Sequence, residues 1–426
     1  MHALRMVHHN IITPVRNFIK DSRATGIMLI GCTILSIAFS NIHFTSAAYT
    51  GFWQRNVAFF SPSVHLPTDP LHLVNDVLMT FFFMLVAMEI KRELVGGELA
   101  SVRKSLLPIL AALGGMICPA IIFTCFNAQT PFYHGWGIPM ATDIAFSLGV
   151  LSLLGNKVPV QLKIFLTALA IIDDLGAVVT IALFYSSQLH WIYLMLGAVA
   201  LGAIIALNRF RARSLYLYIL PGIVLWYCIF NSGIHATIAG VLFAFCMPLN
   251  KIEKLENVLF FPVNFVIMPL FALANTAIIL PAQFGHAFTT TISFGIMAGL
   301  VFGKPIGIFL FSFLASKTGI AALPSRTSYR QLFGISILGG IGFTMSIFTA
   351  TLAYSLAGLQ IISKVSIMAG SVISGLAGFA YLTYVKPKTA LHVVKTVKEE
   401  EKTVPEQQTF GYDVEPSPLT IEPVLN

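Results

Sequence analysis

Charge is scarce in this chain of 426 residues: Asp, Glu, Lys and Arg make up 10% of it, against about a quarter in ordinary soluble domains. With 56% hydrophobic residues and a mean hydropathy of +0.82, no water-soluble fold could hide so much apolar surface. Cysteine is sparse as well. Cys32, Cys118, Cys125, Cys228 and Cys246 all lie in apolar segments without metal-ligand spacing, which points to small-residue packing and implies no disulfide framework. The N-terminus lacks the short apolar core and small-residue cleavage site of a removable signal, so the first apolar segment is read as retained.

What remains is apolar sequence in long runs. Twelve segments between Ala24 and Tyr384 can each cover the ~30 Å hydrocarbon core with about 20 helical residues: 24–41, 71–90, 105–126, 135–154, 159–185, 190–208, 214–230, 233–248, 257–280, 291–313, 331–353 and 361–384. The class is an all-α membrane protein of about twelve spans. Its domains are a basic cytoplasmic N-terminal segment, 1–23, a membrane domain, 24–385, and a polar tail, 386–426. The tail carries the run Lys398 to Lys402, scattered prolines and few large apolar residues, so it cannot bury a core and is expected to be disordered.

A net charge of +8 raises the question of nucleic acid, and the positions of the charges answer it. If the N-terminus is cytoplasmic, all but three of the 26 Lys and Arg fall in cytoplasmic segments; Arg55 and Lys364 lie outside and Lys304 within a span. That is a positive-inside bias, with both termini in the cytoplasm and no nucleic-acid surface. Trp53, Trp136, Trp191 and Trp226 all fall in outer loops or at outer helix ends, where an interfacial aromatic belt belongs. The longest external connection runs from Asn41 to Pro70, and its Arg55 to His65 portion reads either as a short hairpin or as an irregular loop.

Two segments are interrupted by glycine and proline: the fourth at Gly135-Trp-Gly-Ile-Pro139-Met-Ala-Thr142-Asp143, the eleventh at Gly339-Gly340-Ile-Gly342-Phe-Thr344-Met-Ser346. Unwound backbone inside a membrane is tolerated only where it lines a cavity or is buried in protein. Seven spans apart, the two cross the bilayer in opposite directions. Spans three to five and ten to twelve then form an inverted repeat with its site where the broken helices meet. Continuous, kinked helices are the alternative.

The fifth segment has its midpoint almost on Asp173-Asp174. An aspartate at helix centre costs about 2.5 to 3.5 kcal/mol on an insertion scale, so acids at this depth mark function more than packing. Adjacent helical positions differ by roughly 100° in direction, which gives the two acids different surroundings. Lys304 is the one basic residue well inside an apolar segment and needs an acidic or dipolar partner. Asp143 either offsets the positive start of a half-helix or touches the ion directly. Asp76 lines an outer route or is a solvated terminal acid. Glu89, Lys91, Arg92 and Glu93 form a charged helix end that is either functional or simply snorkelling, and His235 either titrates near neutral pH or packs.

Together, Ala141-Thr-Asp-Ile-Ala-Phe, Leu169-Ala-Ile-Ile-Asp-Asp-Leu-Gly, Phe302-Gly-Lys-Pro and Gly340-Ile-Gly-Phe-Thr-Met-Ser resemble the bacterial NhaA family over about residues 20 to 385. Inverted repeats are described for that same family, so the repeat and the resemblance are one argument. The resemblance implies electrogenic, alkali-activated exchange of cytoplasmic Na+ or Li+ for external protons across an inner membrane. It also implies a homodimer formed through the outer hairpin near Arg55 to His65, and no cofactor. It assigns ion binding to Asp173 and Asp174, a partner role to Lys304, dipole compensation to Thr142 and Asp143, and the second break to Gly340, Gly342 and Thr344. Glu89, Arg92, Glu93 and Glu256 fall at the cytoplasmic entrance where the family senses pH, and His235 in the outer half. The longer basic N-terminal segment and polar tail depart from the family pattern.

The chemistry this implies is competition. Carboxylate oxygens are hard ligands that hold either a small hard cation or a proton, so one cavity serves both ions in turn. An intramembrane aspartyl protease also needs two acids, but takes them from different, facing helices; here they are consecutive. A sodium-coupled solute symporter would need a polar pocket that the sequence does not offer.

Overall fold

The computed structural model describes residues 22–56, 66–186, 188–212, 214–280, 285, 288–325 and 327–385. All but the last two residues of the basic N-terminal segment, most of the expected hairpin and the polar tail lie outside these residues. Every regular element among those described is helical. We name α1 (Ser22–Asn41), α2 (Ser46–Gln54), α3 (Pro70–Gly96), α4 (Val102–Asn127), α5 (Ile144–Leu153), α6 (Val160–Phe184) and α7 (Trp191–Arg209). Then follow α8 (Tyr216–Phe230), α9 (Thr237–Cys246), α10 (Leu249–Asn275), α11 (Thr291–Lys317), α12 (Tyr329–Leu338), α13 (Phe343–Ala353) and α14 (Ala357–Tyr384).

Nine helices among the described residues are long and apolar enough to cross a membrane, or ten if α12 and α13, bent by 47°, form one span; α8 and α9 are shorter apolar helices. The polarity pattern is that of a protein dissolved in lipid. Val199 is 71% exposed and Met195 70%, whereas Asp143, Asp173 and Asp174 are each 1% exposed and Lys304 0%. Apolar side chains face outward and the ionisable ones are sealed within, as bilayer solvation demands.

Both breaks are present, in different forms. Span four enters as a 3-10 helix, Tyr133–Met140, because Gly135, Gly137 and Pro139 weaken α-helical pairing there. It then runs extended through Ala141 and Asp143 before α5 begins. Span eleven breaks between Leu338 and Phe343. The two meet backbone to backbone: the Asp143 amide donates to the Ile341 carbonyl at 2.7 Å. A Cβ on Gly342 would lie 2.9 Å from the Ala141 carbonyl oxygen, so only glycine permits this crossing.

Several helix edges differ from the sequence expectation. The ninth span starts at Leu249 rather than 257, because its polar first turns still bury Ile252 and Glu256 four residues apart on one face. The twelfth starts at Ala357 rather than 361, and Lys364, expected outside, is buried in α14 at 6% exposure. The connection from Asn41 to Pro70 contains the helix α2 before the undescribed residues.

Candidate functional site

The crossing gathers Thr142, Asp143, Asp173, Asp174, Lys304 and Thr344 around four helix ends. Where α5 and α13 begin, unpaired amides concentrate positive partial charge, and Asp143 serves both. Its Oδ1 accepts from the Phe146 amide at 3.0 Å; its Oδ2 accepts from the Thr344 amide at 3.0 Å and the Thr344 hydroxyl at 2.5 Å. One carboxylate therefore caps two half-helices from different repeats.

At the C-terminal end of α12 the orphan groups are carbonyls. Ser147 Oγ donates to the Leu338 carbonyl at 3.1 Å, and Thr142 Oγ1 lies 3.0 Å from the Gly339 carbonyl. The same Thr142 hydroxyl lies 2.8 Å from Asp173 Oδ2. A hydroxyl has one proton to donate, so these two acceptors compete for it.

Lys304 follows a π-helical turn, Gly299–Gly303, in α11. The wide turn accommodates Pro305, which lacks an amide, without breaking the helix. Gly303 packs where a Cβ would sit 2.8 Å from the Pro119 backbone of α4. The Lys304 ammonium donates to Asp173 Oδ2 at 2.7 Å and to Thr142 Oγ1, with both charged side chains fully buried. Asp174, on the next position of α6, accepts no hydrogen bond from any described residue, and its Oδ1 is sealed from solvent. Asp173 Oδ1 likewise lacks a partner. The pair thus divides into one acid tied to a cation and one acid left bare.

Gly340 and Gly342 belong to the same crossing. A Cβ on Gly340 would lie 2.4 Å from the Leu300 carbonyl oxygen, and the Gly342 amide donates to Ser371 Oγ of α14 at 3.3 Å. The remaining candidates form two separate clusters. On α3, Arg92 bonds Glu256 of α10 at 2.6 Å and lies 3.6 Å from Glu93, with Glu89 one turn before it. Val86 and Ile90 of that helix pack against Ala168 and Ile171 of α6, so the cluster leans on the helix that carries the two acids. Toward the other end of α3, Asp76 Oδ1 meets His235 Nε2 at 3.2 Å, and the Trp226 indole donates to the Asp76 carbonyl at 3.1 Å.

Sequence reasoning named Asp76 and His235 separately and missed that they pair. It also missed Ser147, one turn beyond Asp143 on an otherwise apolar helix, and the buried amide pair of Asn75 and Asn275 at 2.8 Å. A polar residue inside an apolar run was the available signal for each.

Comparison with known proteins gives a consistent result. Residues 16–382 match the family model described as Na+/H+ antiporter 1. A Flavobacterium johnsoniae protein called Na(+)/H(+) antiporter NhaA 2 is 48% identical over 86% of this chain and 91% of its own length. A Dechloromonas aromatica Na(+)/H(+) antiporter NhaA is 47% identical over 86% of this chain and 95% of its own. One from Cytophaga hutchinsonii is 48% identical over 86% and 94%.

Proposed function

The chain belongs to the Na+/H+ antiporter 1 family, and we propose that exchange runs through Asp174 as the main sodium ligand, with Asp173 as the proton-carrying partner of Lys304. The observation that carries this reading is the bare carboxylate of Asp174 beside the occupied one of Asp173. A buried carboxylate with no donors has an unmet need for positive charge, which either Na+, Li+ or a proton satisfies. Asp143, whose two oxygens already face amide and hydroxyl donors, then compensates helix ends together with Thr142 rather than binding the ion.

Loss of one sodium against protonation of both Asp173 and Asp174 moves net charge in each cycle. A proton-motive force then expels sodium, which serves sodium and pH homeostasis and salt tolerance. In the orientation read from the charges, the membrane is the bacterial inner membrane and both termini are cytoplasmic. The Glu89, Arg92, Glu93 and Glu256 cluster faces the cytoplasmic entrance and adjusts activity to pH, the Asp76–His235 pair lies toward the outer side, and the protein forms a homodimer through the segment near Arg55 to His65.

Proteoliposomes holding only the purified protein test this reading. An imposed sodium gradient should drive opposite proton movement, read by an internal pH dye, and a membrane-potential dye should report charge movement. Proton flow that required an organic solute, or exchange insensitive to membrane potential, would contradict it.

A further inference from the structure

The 3-10 entry of span four is an irregular piece of backbone that ends on Thr142 and Asp143, and the site described above uses neither of the two groups that hold it. Tyr185, immediately after α6, donates from its hydroxyl to the His134 carbonyl at 2.7 Å and accepts from the Gly137 amide at 3.1 Å. Tyr354, immediately after α13, donates to the Phe132 carbonyl at 2.8 Å. Together the two phenols hold the Phe132 and His134 carbonyls and the Gly137 amide of this segment.

The glycines of the Gly135-Trp-Gly137 sequence are what let the phenols in. A Cβ on Gly135 would lie 2.1 Å from the Tyr354 hydroxyl, and one on Gly137 would lie 2.7 Å from the Tyr185 hydroxyl, with ring atoms of the same tyrosine as its next neighbours. Beyond the grip, the chain passes through Gly137 and Pro139 to Thr142, which touches both Asp173 and Lys304, and to Asp143, which caps α5 and α13. Gly135 and Gly137 of this segment are buried, so losing the Tyr185 hydroxyl removes the acceptor that faces the Gly137 amide and loosens the segment.

We propose that Tyr185 and Tyr354 are positioning residues: a two-phenol clamp on the entry of span four that holds Thr142 and Asp143 in register with Asp173 and Lys304. The inference rests on the crossing being the ion site. Its physical content is pre-organisation: a segment fixed before the ion arrives costs no ordering on binding.

The test uses the full-length protein in membranes. Tyr185→Phe and Tyr354→Phe each delete one oxygen and keep the ring. Amide hydrogen exchange over residues 132–141 should accelerate in each and more in the double variant, while the apparent KM for sodium rises at least about five-fold and the maximal rate at alkaline pH stays within about two-fold. Gly137→Ala, which presses on the Tyr185 hydroxyl, should reproduce the Tyr185→Phe effect and add little to it in the combined variant, because both act on one contact. Unchanged exchange over 132–141 would overturn the clamp. Faster exchange over 132–141 with an unchanged KM would overturn its role in positioning. If Tyr185→Phe fails to fold, the Gly137→Ala measurements decide alone. The ion-site reading stands or falls separately, on whether Asp174→Asn abolishes sodium binding.

Discussion

At the scale of single residues, the structure holds two buried lysines in opposite circumstances. Lys304 bonds Asp173 and Thr142, whereas Lys364 has no hydrogen-bond or ion-pair partner among the described residues. Removing one member of a buried pair costs about 3–5 kcal/mol because the other charge is left uncompensated. Removing an unpaired buried charge relieves a desolvation cost instead. Lys304→Met should therefore lower the thermal midpoint of the purified protein strongly, while Lys364→Met should raise it by about 2 °C or more. Equal losses in the two variants, measured by thermal unfolding in the same detergent, would contradict this account. The sequence made Lys304 legible because a lone cation in an apolar segment must find an acid. The burial of Lys364 was not legible because its helix begins a turn earlier than hydropathy suggests, over Ala357 and Gly358.

At the scale of elements, Asp143 joins the starts of α5 and α13. Losing a helix cap costs about 0.5–2 kcal/mol, and here one residue serves two. Asp143→Ala should destabilise by about the sum of two caps. Asp143→Asn, which keeps a single acceptor oxygen, should fall between Ala and the parent and retain sodium binding within a few-fold. Thermal unfolding and sodium binding measured on the same samples check both. Abolished binding with unchanged stability would make Asp143 a direct ligand instead. That the two spans break was readable from Gly135, Gly137, Pro139, Gly340 and Gly342, since those residues weaken helix wherever they stand. That span four enters as a 3-10 helix was not readable, because the same residues suit several unwound shapes. The tyrosines that select this one come from 48 and 222 residues away. Pairings such as Asp76 with His235 were hidden for the same reason: periodicity assigns a face to a helix but not the neighbour that meets it.

At the scale of the whole molecule, the proposed orientation rests on the placement of charge and the proposed function on the crossing. In a cysteine-free background, a cysteine replacing Phe44, 93% exposed between α1 and α2, should react with an impermeant thiol reagent added to intact cells. A cysteine replacing Ser325 should react only in everted vesicles. Labelling of both from one side would reverse or abolish the positive-inside orientation. Given that orientation, the account depends most on Asp174 being where H+ and Na+ compete. Asp174→Asn keeps size and polarity while deleting the charge, and Asp174 makes no hydrogen bond to any described residue whose loss would unfold the protein. Calorimetric titration of the purified Asp174→Asn protein with sodium across pH is the most direct measurement. The parent should bind sodium with an affinity that rises with pH as protons leave, and the variant should remain folded and bind none. Sodium binding by the variant with the parent's affinity and pH dependence would contradict the assignment of exchange to this residue.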